Sequence, residues 1–226
     1  MSESPTRTVE RALALLAVVC DSGATSLVDA SRAADLAPST ALRLLRTLDA
    51  SGFVRKPDDG TYRPGSRIEQ LGAQALSNDS LVALCHPIME QLVDETGESV
   101  YLSVEGHRST ALYVHIVEGT HSVRHASWVG RTTPLESSAA GQVLLGQTPA
   151  EGYVIVERGI EPDVTAIAAP VLSDARVVAA MSLVIPSYRV TDRDAGRYGR
   201  ELAATTRRIS AGLGKGKSSI KAGGTA

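Results

Sequence analysis

Four side chains in the stretch DLAPSTALRLLRTLDASGFVRK, residues 35–56, have the types and spacing to read a nucleic acid: Ser39, Thr40, Arg43 and Arg46. At 100° per residue, Ala41, Leu44, Leu45 and Leu48 fall on one side, the stripe of a buried helix face. Ser39, Arg43, Arg46 and Ala50 fall on the other. Arginine can fork onto a guanine edge in the DNA major groove, and hydroxyls can bond phosphates or bases. Leu42, at the edge of that stripe, could touch a thymine methyl or pack inward. Arginines also populate any solvated helix face, so the flanks must decide.

The flanks supply a frame. Pro38 suits the first helical position, and Gly52 supplies a left-handed stop. Ser26 is placed to cap a helix over 27–34, joined through Asp35-Leu36-Ala37 to the arginine helix. That is the helix–short turn–helix spacing of a DNA-binding motif. Downstream, Phe53–Lys56, the Pro57–Gly60 turn and Thr61–Arg63 read as strand, turn, strand. Such a hairpin is a wing, and Arg55, Lys56 and Arg63 would flank the DNA backbone. Between Leu36 and Arg67 six Arg/Lys face three Asp, a local positive excess within a chain of net charge −2. Coating nucleic acid non-specifically is excluded by that balance; a local contact is not. Residues 193–226 carry eight Arg/Lys against two acids, read as a solvated helix face and tail rather than a second DNA contact.

Other chemistry is sparse. Cys20 and Cys85 are distant and sit in apolar helical contexts, which suits a reducing cytosol. None of the five histidines has zinc-ligand spacing with a cysteine, so no metal and no cofactor are expected. Ser137 and Ser138 precede a helix and read as caps, not nucleophiles, since nothing marks a base; no catalytic residue is assigned. The N-terminus is polar, and its apolar run over 12–20 is too short to span a bilayer. A cytoplasmic protein with no membrane partner is expected.

Along the rest of the chain, Thr6 or Thr8 would cap a first helix running to about Asp21, with Val9, Leu13, Leu16, Ala17 and Cys20 inward. Residues 1–65 would form the DNA-binding domain and 66–80 a linker helix with an Ile68, Leu71, Ala75 stripe suited to pairing with a second subunit. Helix over 81–96 is expected, with Pro87 inside it. The period then changes to two at 100–105 and 112–117, with a third strand expected at 123–128. Residues 135–145 read as helix, 166–172 and 176–185 as a hairpin over Ser173-Asp174, and 192–213 as a long helix capped by Asp192. This is an α+β domain over 81–214, followed by a disordered Gly/Ser/Lys-rich tail from Lys215. At the helix start Glu136–Gly141, small residues would either admit a carboxylate to free backbone N–H groups or simply pack close to a sheet.

The DLAPSTALRLL run, Gly52-Phe53-Val54 and Tyr62 resemble the winged helix of IclR-type bacterial transcriptional regulators. So do Thr96-Gly97-Glu98, the Gly130…Pro134-Leu135…Ala140-Gly141 run, and Ile167–Val171 with Ser182 and Pro186. The resemblance covers roughly residues 8–213. It implies a C-terminal GAF-like effector domain whose cavity is walled by Ser138, Ala139 and Ala140, by strands carrying Ala166, Ser182 and Val184, and by Val156. The chain departs from the family pattern there. Val156, Ala166 and Val184 replace polar residues, Glu136 replaces a usual His, and Gln142 a usual Lys. A short connection over 147–152 stands where a further helical pair is usual. A shortened domain with a pocket that is open, apolar or empty is therefore expected.

The combined reading is a regulator that binds double-stranded DNA as a homodimer or tetramer on a palindromic site. Its effector would be a small organic molecule, an apolar or aromatic carboxylate. The alternatives are a regulator acting by occupancy alone, or a small-molecule binding module or enzyme with an incidental helical domain.

Overall fold

The computed structural model describes residues 6–77, 80–125 and 128–216, which divide after Asp79 into two units. In the first, α1 (Arg7–Ser22), α2 (Leu27–Ala33) and α3 (Pro38–Ala50) precede β1 (Val54–Arg55), β2 (Arg63–Pro64) and α4 (Ser66–Ser77). Pro38 opens α3, and Gly52 beyond its end takes φ 74°. Ser26 Oγ accepts from the Asp29 amide at 3.1 Å and so caps α2. The turn between α2 and α3 passes through Asp35 at φ 51°, a conformation Asp tolerates. Ala41, Leu44 and Leu45 of α3 pack with Leu15 and Val19 of α1, Ala30 of α2, and Val54 and Tyr62 of the hairpin. Each large apolar side chain buried this way contributes about 1.5–3 kcal/mol.

Helix α1 keeps only part of the face its sequence suggests: Leu16 packs at the edge of the core and Cys20 is half-buried. Leu15 and Val19 are buried, while Val9 and Leu13 are more than half exposed and Ala17 is exposed. The run over 12–20 is apolar on every side, so two stripes compete and contact with α3 selects the one through Leu15 and Val19. Thr6 stands at the cap position without a side-chain capping bond. In α4, Ile68 is half-buried and Leu71 exposed.

The second unit is built on a six-stranded antiparallel sheet. Its elements are α5 (Ser80–Thr96), β3 (Ser99–Glu105), β4 (Thr110–Val117), β5 (Thr132–Pro134), α6 (Ala139–Leu144), β6 (Val154–Glu157), β7 (Val164–Ser173), β8 (Arg176–Pro186) and α7 (Asp192–Gly216). Strand order is β5-β4-β3-β8-β7-β6. One face takes α5 and α7: Met89 and Leu92, with Leu202 and Ile209, close on Leu102, Ile167, Met181, Leu183 and Ile185. Alternation sends Tyr101, Ala168, Ala180, Ser182 and Val184 to the other face, which carries α6 and an aromatic cluster.

Five elements differ from expectation, among them the helix expected over 135–145, which begins only at Ala139. The described residues of 123–128 are not a strand, with Ala126 and Ser127 outside the described residues; the sheet edge is β5, at 132–134. Strand β6 escaped notice because it is four residues long. The β7–β8 turn is Asp174-Ala175, both at positive φ, one residue later than expected. Thr191, not Asp192, caps α7, its Oγ1 accepting from the Asp194 amide at 3.3 Å. Helix α7 runs to Gly216, past the Lys215 at which disorder was expected; the rest of that tail, 217–226, lies outside the described residues.

Candidate functional site

Two surfaces carry the residues singled out above. On α3, Ser39, Leu42, Arg43, Arg46, Thr47 and Ala50 line one shallow outward face. Arg43 and Arg46 are exposed, and neither makes an ion pair among the described residues. Leu42 is half-buried and stands on the outward face rather than in the core cluster. Thr40 is half-buried, and its amide donates to Ala37 O at 2.9 Å. Arg55 is exposed on β1, next to Val54, whose side chain points into the core. Lys56 sits over the Tyr62 ring, 5.4 Å from its centroid. Arg63 is more committed than its neighbours: Nη2 meets Asp59 Oδ2 at 2.8 Å, and Nε donates to Thr61 Oγ1 at 3.4 Å. The Thr61 hydroxyl and amide hold the Asp59 carboxyl below its usual range, with Arg63 adding to the effect.

The second surface is a cavity on the α6 face of the sheet. It gathers all seven residues expected there: Ser138, Ala139, Ala140, Val156, Ala166, Ser182 and Val184. Register explains the gathering. Val156 pairs with Ala166 and Ala166 with Val184, one cross-strand row; Ala168, Ser182 and Tyr101 form the next. Helix α6 lies close on β7 and β8 because its inner residues are small. A Cβ at Gly141 would run into the Leu135 backbone, so only glycine lets α6 fold back against the turn that precedes it. Close packing therefore accounts for the small residues at the α6 start. Ser138 Oγ is committed, donating to Pro134 O at 2.8 Å and accepting from the Gly141 amide at 3.0 Å.

The Ser182 hydroxyl is different. It is 2% exposed, faces the cavity, and has no hydrogen-bond partner among the described residues. A buried unpaired hydroxyl costs about 1–3 kcal/mol; Ser103 and Thr148 carry others among the described residues, and of these three Ser182 alone lines the cavity.

The remaining wall was not foreseen. Tyr113, His125, Trp128 and Glu161 also line the cavity. Tyr101 and Tyr113 meet edge to face at 5.0 Å between centroids, as do His125 and Trp128 at 4.9 Å. Burial raises the pKa of both tyrosine hydroxyls, keeping them protonated. The Tyr101 hydroxyl lies 2.7 Å from His125 Nδ1, and His125 Nε2 lies 3.3 Å from Glu161 Oε2. The cavity is thus neither empty of polar groups nor wide: its free space is about 30 Å³, room for one or two water molecules. The short connection over 147–152 leads from α6 directly into β6. Among the described residues, no three His, Cys, Asp or Glu side chains are grouped to hold a metal. No helix among them is long and apolar enough to cross a membrane.

Comparison with known proteins gives consistent matches over both units. The family described as "IclR helix-turn-helix domain" matches residues 8–58, and "Bacterial transcriptional regulator IclR C-terminal" matches 73–152 and 144–211. The two C-terminal pieces meet at the short connection. The chain is 32% identical over 148 residues to the transcriptional repressor IclR of Escherichia coli (strain K12), covering 64% of this chain and 54% of that protein. This chain thus spans about half the length of that relative. The regulator XynR of the same organism is 25% identical over 246 residues, covering 92% of this chain and 97% of its own. Among solved structures, an Alicyclobacillus acidocaldarius IclR transcriptional regulator superposes with TM-score 0.78 at 20% identity, covering 93% of this chain and 100% of that one. An IclR homologue from Microbacterium hydrocarbonoxydans complexed with 4-hydroxybenzoate gives 0.73 at 23% identity, covering 91% and 99%. At these identities the two structures establish the fold alone.

Proposed function

Since the chain belongs to the IclR family of bacterial transcriptional regulators, we propose that it is a regulator that binds double-stranded DNA and answers to a small aromatic carboxylate. The observation that carries the DNA reading is the outward face of α3, where Arg43 and Arg46 stand exposed beside Ser39 and Leu42, with no ion-pair partner among the described residues. In this reading Arg43 and Arg46 enter the major groove with Ser39 and Thr40, while Arg55, Lys56 and Arg63 track phosphates. Arg63 is held by Asp59 in the free protein and exchanges that partner for a phosphate on binding. Residues 1–65 form the winged helix, 66–80 the linker and 81–214 a GAF-like sensing domain. The exposed Leu71 and half-buried Ile68 of α4 fit a helix that pairs with a second copy, giving the two-fold symmetry of a palindromic site.

For the effector, the aromatic wall and the aliphatic row Val156–Ala166–Val184 favour a ring, and the unpaired Ser182 hydroxyl favours one polar substituent on it. The structural relative holding 4-hydroxybenzoate has that chemistry. A small keto acid needs several hydrogen bonds to offset its desolvation and should bind poorly here. A second reading, a regulator that acts by occupancy alone without an effector, is favoured by the small free volume. Thermal-shift and calorimetric titration of the full chain with 4-hydroxybenzoate and with pyruvate separates these. Binding of the aromatic acid alone supports the proposal; pyruvate binding overturns the aromatic pocket, and no binding of either supports occupancy. Sedimentation showing a monomer at tens of micromolar would remove the two-fold arrangement.

A further inference from the structure

The cavity and a wide neighbouring cleft share one wall. His125, Trp128, Glu161 and Val164 face both the inner space and an open cleft of about 680 Å³. Among the described residues lining the inner space, Glu161 is the one carboxylate, and it lies on His125. His125 is fixed: its side chain is 9% exposed, its ring edge meets Trp128, and Nδ1 faces the Tyr101 hydroxyl. The carboxylate 3.3 Å from Nε2 favours the tautomer with its hydrogen there, which leaves Nδ1 to accept from the Tyr101 O–H. The hydrogen of a neutral ring then sits on Nε2, directed at whatever carboxylate occupies the 3.3 Å position. Glu161 itself is 38% exposed, on the connection between β6 and β7. The receptor is therefore rigid and its occupant loosely held, as exposed ion pairs are.

We propose that Glu161 is an internal stand-in for the effector: an aromatic monocarboxylate entering from the cleft displaces it and places its own carboxylate on His125 Nε2. This rests on the aromatic-carboxylate reading above and names where the acid group goes. The exchange is non-covalent and leaves one carboxylate against His125 before and after, so no further anion is buried without a partner. Arg124 and Arg158 line the cleft, and Arg158 makes no ion pair among the described residues, so it is available to the departing Glu161. The inner space alone is about 30 Å³, so the ring takes the volume the departing Glu161 side chain leaves at its mouth, beside Val156, Ala166 and Val184 and with its hydroxyl towards Ser182. At the start of α6, Ser138 Oγ already takes the Gly141 amide.

Calorimetry on the full chain with 4-hydroxybenzoate and its neutral analogue 4-hydroxybenzamide tests the exchange. Glu161→Gln removes the competing anion and should tighten the acid about tenfold, while the amide changes by about twofold or less. His125→Gln should abolish the preference for acid over amide. Tyr101→Phe, which keeps the ring and removes the donor to Nδ1, should reduce that preference if His125→Gln fails to fold. Acid binding by wild type that Glu161→Gln leaves unchanged or weakens overturns the exchange alone. Equal tightening of both ligands makes Glu161 a steric plug and also overturns it. If neither ligand binds wild type or any variant, the aromatic-effector reading falls and the exchange falls with it.

Discussion

Replacing Ser182 by alanine should make the protein more stable and a poorer sensor. The hydroxyl is 2% exposed and lacks a protein partner, so its desolvation is uncompensated in the free protein. An unpaired buried hydroxyl costs about 1–3 kcal/mol, and a methyl group in its place restores part of that. Ser182 lies on β8 between Tyr101 and Ala168, both buried, so its hydroxyl faces nothing but the small cavity. We expect a gain of about 1 kcal/mol and a rise of about 2–4 °C in the melting temperature of the second unit. Scanning calorimetry of the full chain, with the two transitions resolved, reads this directly. In the same variant, the advantage of 4-hydroxybenzoate over benzoate should shrink by about 1 kcal/mol, roughly fivefold. A destabilised Ser182→Ala chain would mean that the hydroxyl already has a partner in the free protein. That result would remove the argument that it waits for a ligand.

Three further outcomes follow from the packing. Arg189 joins Glu98, which is 2% exposed, at 2.7 Å and 3.0 Å and also donates to Val123 O at 2.9 Å. Arg189→Met should therefore cost about 3–5 kcal/mol in urea unfolding, partly recovered in the Glu98→Gln, Arg189→Met double variant; a loss under about 1 kcal/mol would refute the pairing. Gly141→Ala places a Cβ against Leu135 O and should destabilise the second unit by at least about 1–3 kcal/mol, with a neutral melt as the contrary result. Burial, aided by His86 with Nδ1 2.9 Å from His115 Nε2, holds His115 below its ordinary 6.5. The unfolded chain then takes up this proton first, so stability should fall as pH drops from about 6.5 towards the lowered folded value. His115→Gln should flatten that segment of the stability–pH curve, and an unchanged slope would dissociate it from this histidine.

What the sequence made legible follows its local periodicity. Helix α3 was readable because Ala41, Leu44 and Leu45 alone form a continuous stripe, which leaves Arg43 and Arg46 outside by geometry. The cavity floor was readable because alternation on β7 and β8, with the family resemblance, fixes which of Ala166, Ser182 and Val184 face together. Helix α1 defeated the same method: an all-apolar run has no single stripe, and the face is chosen by α3, not by α1 itself. His125 and Glu161 lie on separate connections, 36 residues apart, and meet only through tertiary structure. The β-branched and aromatic residues of 123–128 suggested a strand, which concealed that His125 and Trp128 turn inward as a wall. Buried aromatic and histidine side chains in a loop carry no periodic signal.

The central claim, sequence-specific DNA binding through α3, is tested most directly by selecting genomic fragments on the full chain and on its Arg43→Ala variant. The account predicts that fragments bound by the wild type share a two-fold symmetric sequence. Arg43→Ala should weaken them by about 1–3 kcal/mol and relax the choice at one base pair per half-site, whereas Arg55→Ala weakens all fragments alike and lowers the salt slope by about one. Fragments without a common sequence, or an Arg43→Ala selection indistinguishable from wild type, would contradict it.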